Sequence, residues 1–169
     1  MDLRSAIRDI PDFPEKGILF RDITPVLQDA ELLRAALDQI AELAVKYEFD
    51  VVAGPESRGF LFGVPLAVRL GKGFVPIRKI GKLPYTTVKK SYDLEYGSAT
   101  IEMHTDAVKP GQKVLVVDDL LATGGTARAI VELIEEAGAE VTASLFLIEL
   151  SALEGRKALK GDIEAVITY

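Results

Sequence analysis

Thirteen consecutive residues constrain this chain more than any other part of it. Val114-Leu115-Val116-Val117-Asp118-Asp119-Leu120-Leu121-Ala122-Thr123-Gly124-Gly125-Thr126 carries an apolar run through two adjacent acids into a turn of hydroxyls and glycines. Lys113 to Val117, rich in valine, reads as a buried strand, and about Thr126 to Ala137 reads as a helix closed by Gly138. Gly and Thr are common in any strand-to-helix turn. Two like charges side by side at the end of an apolar strand are not, because they are unfavourable unless solvated or used. The parts suit a phosphorylated sugar. Glycines let the backbone fold tightly around an anion, and N–H groups at a helix start lack internal partners and can donate to phosphate oxygens. The hydroxyls of Thr123 and Thr126 add donors, while Asp118 and Asp119 can accept from vicinal sugar hydroxyls.

The flanking sequence sets this turn in an alternating α/β chain. Asp29 is a candidate N-cap for an amphipathic helix over 30–46, with Leu33, Leu37, Ile40 and Ala44 on one face. A strand follows over Phe49–Gly54, a helix over Phe60–Leu70 stopped by Gly71, and a strand over Phe74–Arg78. Ile80 to Ser91 loses periodicity and gathers Gly, Pro, Thr and Lys, the composition of an exposed, mobile loop. Residues 94–103 read as a half-exposed strand or hairpin. Val141–Ile148 is a further strand, Leu153–Leu159 a short helix and Ile163–Ile167 a last strand. This order predicts an α/β fold with a mainly parallel central sheet flanked by helices.

Composition narrows the function classes. The 169 residues suit one domain, and 49% apolar with 27% charged residues is the balance of a globular chain. A net charge of −6 argues against a broad nucleic-acid footprint. The longest apolar run, Phe60 to Val68, contains Gly and Pro and is too short to span a bilayer, and Met1-Asp2-Leu3-Arg4 opens no signal-like segment, so no membrane partner is expected. Zero cysteines excludes disulfides and thiolate metal sites and fits a reducing, cytoplasmic location. His104, the single histidine, has no companion ligand and reads as structural or exposed. There is no G-x-x-x-x-G-K-[ST] loop, and Gly71-Lys72-Gly73 follows a helix and has Pro76 where a third glycine would stand, which sets aside phosphate-loop kinases and dinucleotide enzymes.

The thirteen-residue string resembles the phosphoribosyl pyrophosphate (PRPP) motif of type I phosphoribosyltransferases, in the form carried by the adenine-using branch. The resemblance covers nearly the whole chain, because Pro11-Asp12-Phe13-Pro14, Phe20-Arg21-Asp22-Ile23-Thr24-Pro25, Glu56-Ser57-Arg58-Gly59-Phe60, Arg78-Lys79, Gly81-Lys82-Leu83-Pro84 and Leu94-Glu95-Tyr96-Gly97 match that family's signatures in order. It implies the type I phosphoribosyltransferase fold over 1–169, with a small N-terminal hood over about 1–30 and a flexible lid over about 80–96.

It also implies roles. Asp118 and Asp119 would hold the ribose, with Ala122, Thr123, Gly124, Gly125 and Thr126 around the 5′-phosphate. Glu56, Ser57, Arg58, Arg78, Lys79 and Lys82 would meet pyrophosphate, with a cis-type peptide expected between Ser57 and Arg58. Leu19, Phe20, Arg21 and Leu120 would meet adenine, a backbone carbonyl accepting from the exocyclic amine and rejecting an oxo group. Glu95 with Tyr96 would form the lid, and Glu95 would handle the base's proton. Lys89 and Lys90 read instead as a solvated basic face. Mg²⁺ is expected through PRPP and water, with no direct protein ligand. A homodimer is implied, in which Arg78-Lys79 reaches the neighbouring subunit's site. The activity implied is a pentosyl transfer of salvage chemistry, adenine plus PRPP giving AMP and pyrophosphate. A 6-oxopurine enzyme and a non-catalytic PRPP-sensing regulator are the alternatives.

Overall fold

The computed structural model describes every residue except Glu95 and Tyr96. The chain divides into two compact units, Met1–Gln39 and Ile40–Tyr169. The smaller unit, expected to end near residue 30, holds helix α1 (Leu3–Ala6), strands β1 (Arg8–Pro11) and β2 (Leu19–Asp22) and helix α2 (Thr24–Gln28). Helix α3 (Ala30–Ala44) is started by Asp29, whose carboxylate accepts from the N–H groups of Glu31 and Leu32 at 2.9 and 3.0 Å. β1 and β2 form an antiparallel hairpin with Arg8 opposite Asp22 and Pro11 opposite Leu19. Two ion pairs cross it, Arg8 to Asp22 at 3.6 Å and Arg21 to Asp9 at 2.5 Å.

The larger unit is built on a seven-stranded sheet with the order β5-β6-β4-β3-β7-β8-β9. Its parallel part comprises β3 (Val51–Pro55), β4 (Gly73–Lys79), β7 (Lys113–Leu121), β8 (Glu140–Glu149) and β9 (Asp162–Thr168). Helix α4 (Arg58–Arg69) connects β3 to β4, and helix α5 (Gly125–Glu136) connects β7 to β8. These two crossovers leave adjacent central strands in opposite directions along the sheet. Such connections are right-handed, so α4 and α5 cover opposite faces, and the ends of β3 and β7 part between them. That parting is where ligand loops of open parallel sheets gather.

Packing explains why the strands stay in place. Val114 and Val116 of β7, Val75 and Ile77 of β4, and Ile130, Leu133 and Ile134 of α5 share one buried cluster. Every residue of β3 is buried, which accounts for its unbroken apolar pattern. Pro76 lies in β4 where only β3 is a neighbour, since pairing with β6 begins at Arg78, so its missing N–H leaves no gap there.

Three expectations are corrected. First, the loop expected over Ile80–Ser91 is shorter, because Thr87–Leu94 forms strand β5, paired antiparallel with β6 (Gly97–His104) from Thr87↔His104 to Leu94↔Gly97. The alternation Val88, Lys90, Tyr92 on one side and Lys89, Ser91, Asp93 on the other is a strand period that the Lys, Thr and Ser content obscured. Second, Lys90, though still reached by solvent, is paired with acids and not a free basic face. Its ammonium meets Glu136 at 2.5 Å and Glu132 at 3.4 Å on α5, whereas Lys89 is exposed as expected. Third, the short helix near Leu153–Leu159 is two 3₁₀ turns, Ser151–Leu153 and Gly155–Ala158. β7 also runs four residues beyond Val117, to Leu121, so both acids lie within the strand.

Candidate active site

At the carboxyl ends of β3, β4 and β7 lies a cavity of about 320 Å³, all of whose lining belongs to the larger unit. Each strand contributes a different chemistry. From β3 and the turn after it come Glu56 and Arg58. From β4 come Arg78 and Lys79, and from β7 Asp118, Asp119 and Leu120, followed by the whole turn from Leu121 to Ala127. Tyr92 of β5 and Ile101 of β6 close the side next to β4.

The two acids differ in surroundings because successive side chains of a strand point to opposite faces. Asp119 is buried and meets Arg58 of α4, Oδ2 to Nε at 3.0 Å, while the Arg58 side chain keeps 49% exposure at the cavity wall. Asp118 accepts the backbone N–H of Asp119 on Oδ1 at 2.8 Å. Burial and the adjoining Asp119 charge push the Asp118 carboxyl well above the usual carboxylate range. A cationic group entering beside the pair would relieve this crowding and favour the charged form of Asp118.

On the basic side, Glu56 holds the cations in order. Its Oε1 accepts the Lys79 backbone N–H at 2.7 Å, and its Oε2 meets Arg78 Nη2 at 3.3 Å. Burial opposes ionisation of Glu56, but the Lys79 and Arg78 hydrogen bonds and the charges of Arg78 and Lys82 outweigh it and hold its carboxyl below the ordinary range. Arg78 Nη1 also donates to the Lys82 carbonyl at 3.3 Å, tying down the chain after β4. Glu102 of β6, itself buried, accepts the Gly81 N–H in the same segment. The cis peptide expected between Ser57 and Arg58 lies one bond earlier, at Glu56–Ser57. Ser57 already caps α4 with αR backbone angles, so the Ser57–Arg58 bond belongs to the helix entry, where helical geometry requires trans.

The turn after β7 is shaped from behind. Gly124 has φ +84°, and a Cβ there would stand 2.5 Å from the Gly155 carbonyl oxygen and 3.0 Å from the Ala158 Cβ. Gly155 in turn packs so closely on the Ala122 carbonyl that it has no room for a side chain either. The backing turn is fastened by Arg156, which grips the buried Glu149 carboxylate through Nε at 2.7 Å and Nη2 at 2.8 Å. With the backbone so placed, the N–H groups of Gly125, Thr126 and Ala127 start α5 without helical partners and stand at the cavity.

Of the residues nominated from sequence, Glu56, Arg58, Arg78, Lys79, Asp118, Asp119, Leu120, Ala122, Thr123, Gly124, Gly125 and Thr126 line this one cavity. Ser57 and Lys82 flank it without being among its lining residues. Glu95 and Tyr96 lie outside the described residues. Leu19, Phe20 and Arg21 are on β2 of the smaller unit, where Phe20 stacks edge-on against Phe13 at 5.1 Å and the Arg21 guanidinium is turned to Asp9. His104 accepts the Tyr85 N–H at 3.4 Å, a structural contact as expected. Sequence reasoning passed over Tyr92, Pro55, Ile77, Ile101, Leu121 and Ala127 of the lining. The alternation Val88-Lys90-Tyr92 was the available signal for the first.

The arrangement can bind an extended polyanion bearing a sugar, with cations at one end, carboxylates in the middle and N–H donors at the other. Comparison with known proteins gives this chemistry a family. The model of the "Phosphoribosyl transferase domain" matches residues 25–166. The adenine phosphoribosyltransferase of Agathobacter rectalis is 61% identical over 99% of this chain and 97% of its own, and that of Thermotoga sp. strain RQ2 is 56% identical over the full length of both. Among solved structures, the adenine phosphoribosyltransferase of Thermoanaerobacter pseudethanolicus superposes with a TM-score of 0.96 at 52% identity, over 99% of this chain and 98% of its own. That of Saccharomyces cerevisiae, in complex with D-2,5-dideoxy-2,5-imino-altritol 1,6-bisphosphate and adenine, gives 0.92 at 40%, over 97% and 96%. The chain belongs to the phosphoribosyltransferase family, in its adenine phosphoribosyltransferase branch.

The raised Asp118 carboxyl has a consequence for stability. A carboxyl whose folded value lies above its unfolded value, about 4, binds its proton more tightly in the folded chain, so this stabilisation is complete below that pH and is lost as pH climbs through the raised value. Asp118→Asn removes the loss. The unliganded variant is expected to melt roughly 2–4 °C higher than the parent at pH 8 and no higher at pH 4. Equal melting shifts at both pH values, read by calorimetry, would contradict the crowded-carboxylate account.

Proposed function

We propose that the cavity joins adenine to the ribose 5-phosphate unit of PRPP, releasing pyrophosphate and forming AMP. The observation that carries this reading is the order of chemistries around one cavity: Arg58, Arg78 and Lys79, then Asp118 and Asp119, then the 122–126 turn. That order is the order of PRPP itself. Pyrophosphate meets the cations, the vicinal hydroxyls donate to the carboxylates, and the 5′-phosphate accepts from the α5 N–H groups and the Thr123 and Thr126 hydroxyls. Glu56 serves the pyrophosphate end by positioning Arg78 and Lys79, since a carboxylate would repel the anion directly; Ser57 and Lys82 border the same end.

The bond from the anomeric carbon to the pyrophosphate oxygen breaks as a ring nitrogen of the base bonds to that carbon. Positive charge builds on the sugar during this exchange, as in glycoside hydrolysis, and the negative potential of Asp118 and Asp119 stabilises it. Glu95, with Tyr96 in a lid over about 80–96, takes the proton the base gives up. Leu19, Phe20 and Arg21 with Leu120 recognise adenine, largely through main-chain groups. The yeast relative's binding of adenine together with an imino-sugar bisphosphate supports that substrate pair.

Mg²⁺ belongs to this reading as a partner of PRPP. Asp119 is already engaged by Arg58, an arrangement suited to a cation carried by substrate oxygens and water. When bound, the ion neutralises charge on the departing pyrophosphate. Among the described residues, no helix is long and apolar enough to cross a membrane. The cysteine-free composition supports a cytoplasmic location, which fractionation checks. A homodimer is also proposed. On α4, Leu61, Val64 and Val68 form an exposed apolar stripe at 40%, 41% and 75%, running from the turn after Arg58 to the far end of the helix, and a second copy is its expected occupant.

Three measurements test these statements. Incubated with PRPP, Mg²⁺ and an equimolar mixture of adenine, hypoxanthine and guanine, the protein should form AMP alone and lose turnover in EDTA. IMP or GMP as main product would transfer the reading to 6-oxopurines, and no nucleotide at all would favour a binding-only regulator. Glu95→Gln should lower kcat by roughly 10²–10⁴ with little change in the KM for PRPP; an unaltered kcat removes Glu95 from proton transfer. In sedimentation, Val64→Lys with Val68→Lys should convert a dimer to a monomer, and a parent chain that sediments as a monomer refutes the dimer.

A further inference from the structure

Strand β5 lies along α5, and its inward face touches that helix at two levels. Lys90 pairs with Glu132 and Glu136 toward the helix's far end, while two residues on, Tyr92 reaches the first turn, its hydroxyl 3.2 Å from Thr126 Oγ1. The Tyr92 ring packs on the cluster that holds Ile130 and Leu133, so the hydroxyl is aimed by a packed ring and not by a free side chain. Lys90 adds a second contact between the same strand face and the far end of the helix. Tyr92 also lines the cavity, beside the turn whose threonine it touches.

From this we propose that Tyr92 is a positioning residue for the 5′-phosphate, acting through Thr126. The inference rests on the function proposed above. A threonine hydroxyl rotates freely about its C–O bond and has one hydrogen to give. When the phenol donates to Thr126 Oγ1, that oxygen's acceptor side is occupied, and its own hydrogen is left to point at an anion in the cradle. A hydrogen bond to a charged acceptor is stronger than one between neutral groups, and a donor chain strengthens each member. The same contact ties β5, which lies within the proposed lid segment, to the phosphate end of the site. Phosphate occupancy and the position of that hairpin therefore share one hydrogen bond.

The test uses Tyr92→Phe, which keeps the ring and removes the hydroxyl. Titrated with ribose 5-phosphate in a calorimeter, the variant should bind roughly tenfold more weakly than the parent. Its KM for PRPP should rise by a similar factor while the KM for adenine and the melting temperature stay within error. Because the effect passes through Thr126, it should vanish in a Thr126→Ala background, where the two losses do not add. Additive losses, or an unchanged affinity for ribose 5-phosphate, would overturn the relay. So would a uniform weakening of adenine, pyrophosphate and ribose 5-phosphate together, which marks a general packing defect. A parent chain that does not bind ribose 5-phosphate overturns the proposed function as well, whereas a parent that binds it and a variant that matches it overturn only the role of Tyr92.

Discussion

Two neighbouring carboxylates at the end of a buried parallel strand set the terms for the rest of the molecule. β7 continues as a regular strand through Asp118 and Asp119 to Leu121, so its pleat sends the two side chains to opposite faces. One is met by Arg58 from α4 and the other stays crowded and hard to ionise. This is possible only where the faces of the sheet are covered by different helices. The divergence of the β3–α4–β4 and β7–α5–β8 crossovers supplies that place.

The glycines of the turn are held by a second layer. Gly124 adopts a left-handed conformation and abuts Gly155, whose own backbone presses on Ala122. The Glu149–Arg156 pair, with Arg156 Nη1 also donating to the Ile163 carbonyl at 2.6 Å, keeps that second layer from moving away. In the proposed anion cradle, backbone N–H groups have no side-chain adjustment available, so the accuracy of the turn is that of the backbone behind it. The far C-terminal segment thus takes part in the site without contributing a ligand group.

How far the site was legible in the sequence differed from strand to strand. The β7 string carried its own meaning, because acids, glycines and threonines were contiguous and each type had a local physical reason to be there. The helices expected over 30–46 and 60–70, which the structure forms over Ala30–Ala44 and Arg58–Arg69, were legible from period and caps. β5 was not: its Lys, Ser and Thr content resembles a loop, and its alternation has meaning only once α5 offers a surface for Val88, Lys90 and Tyr92. The cis bond was misplaced by one residue because a motif names a turn but not the bond at which the helix takes over.

By itself, then, the order of residues determined the alternating fold class, the glycine- and threonine-rich turn after β7 and the chemistry of each segment, since these follow from local spacing, backbone freedom and charge. Only the tertiary structure decided which segments meet. It brought Arg58 to Asp119, Arg78 and Lys79 to Glu56, Gly155 to Gly124 and Tyr92 to Thr126, pairs drawn from distant parts of the chain. Such contacts depend on how strands are ordered in a sheet and which face each crossover covers, and no local pattern encodes that.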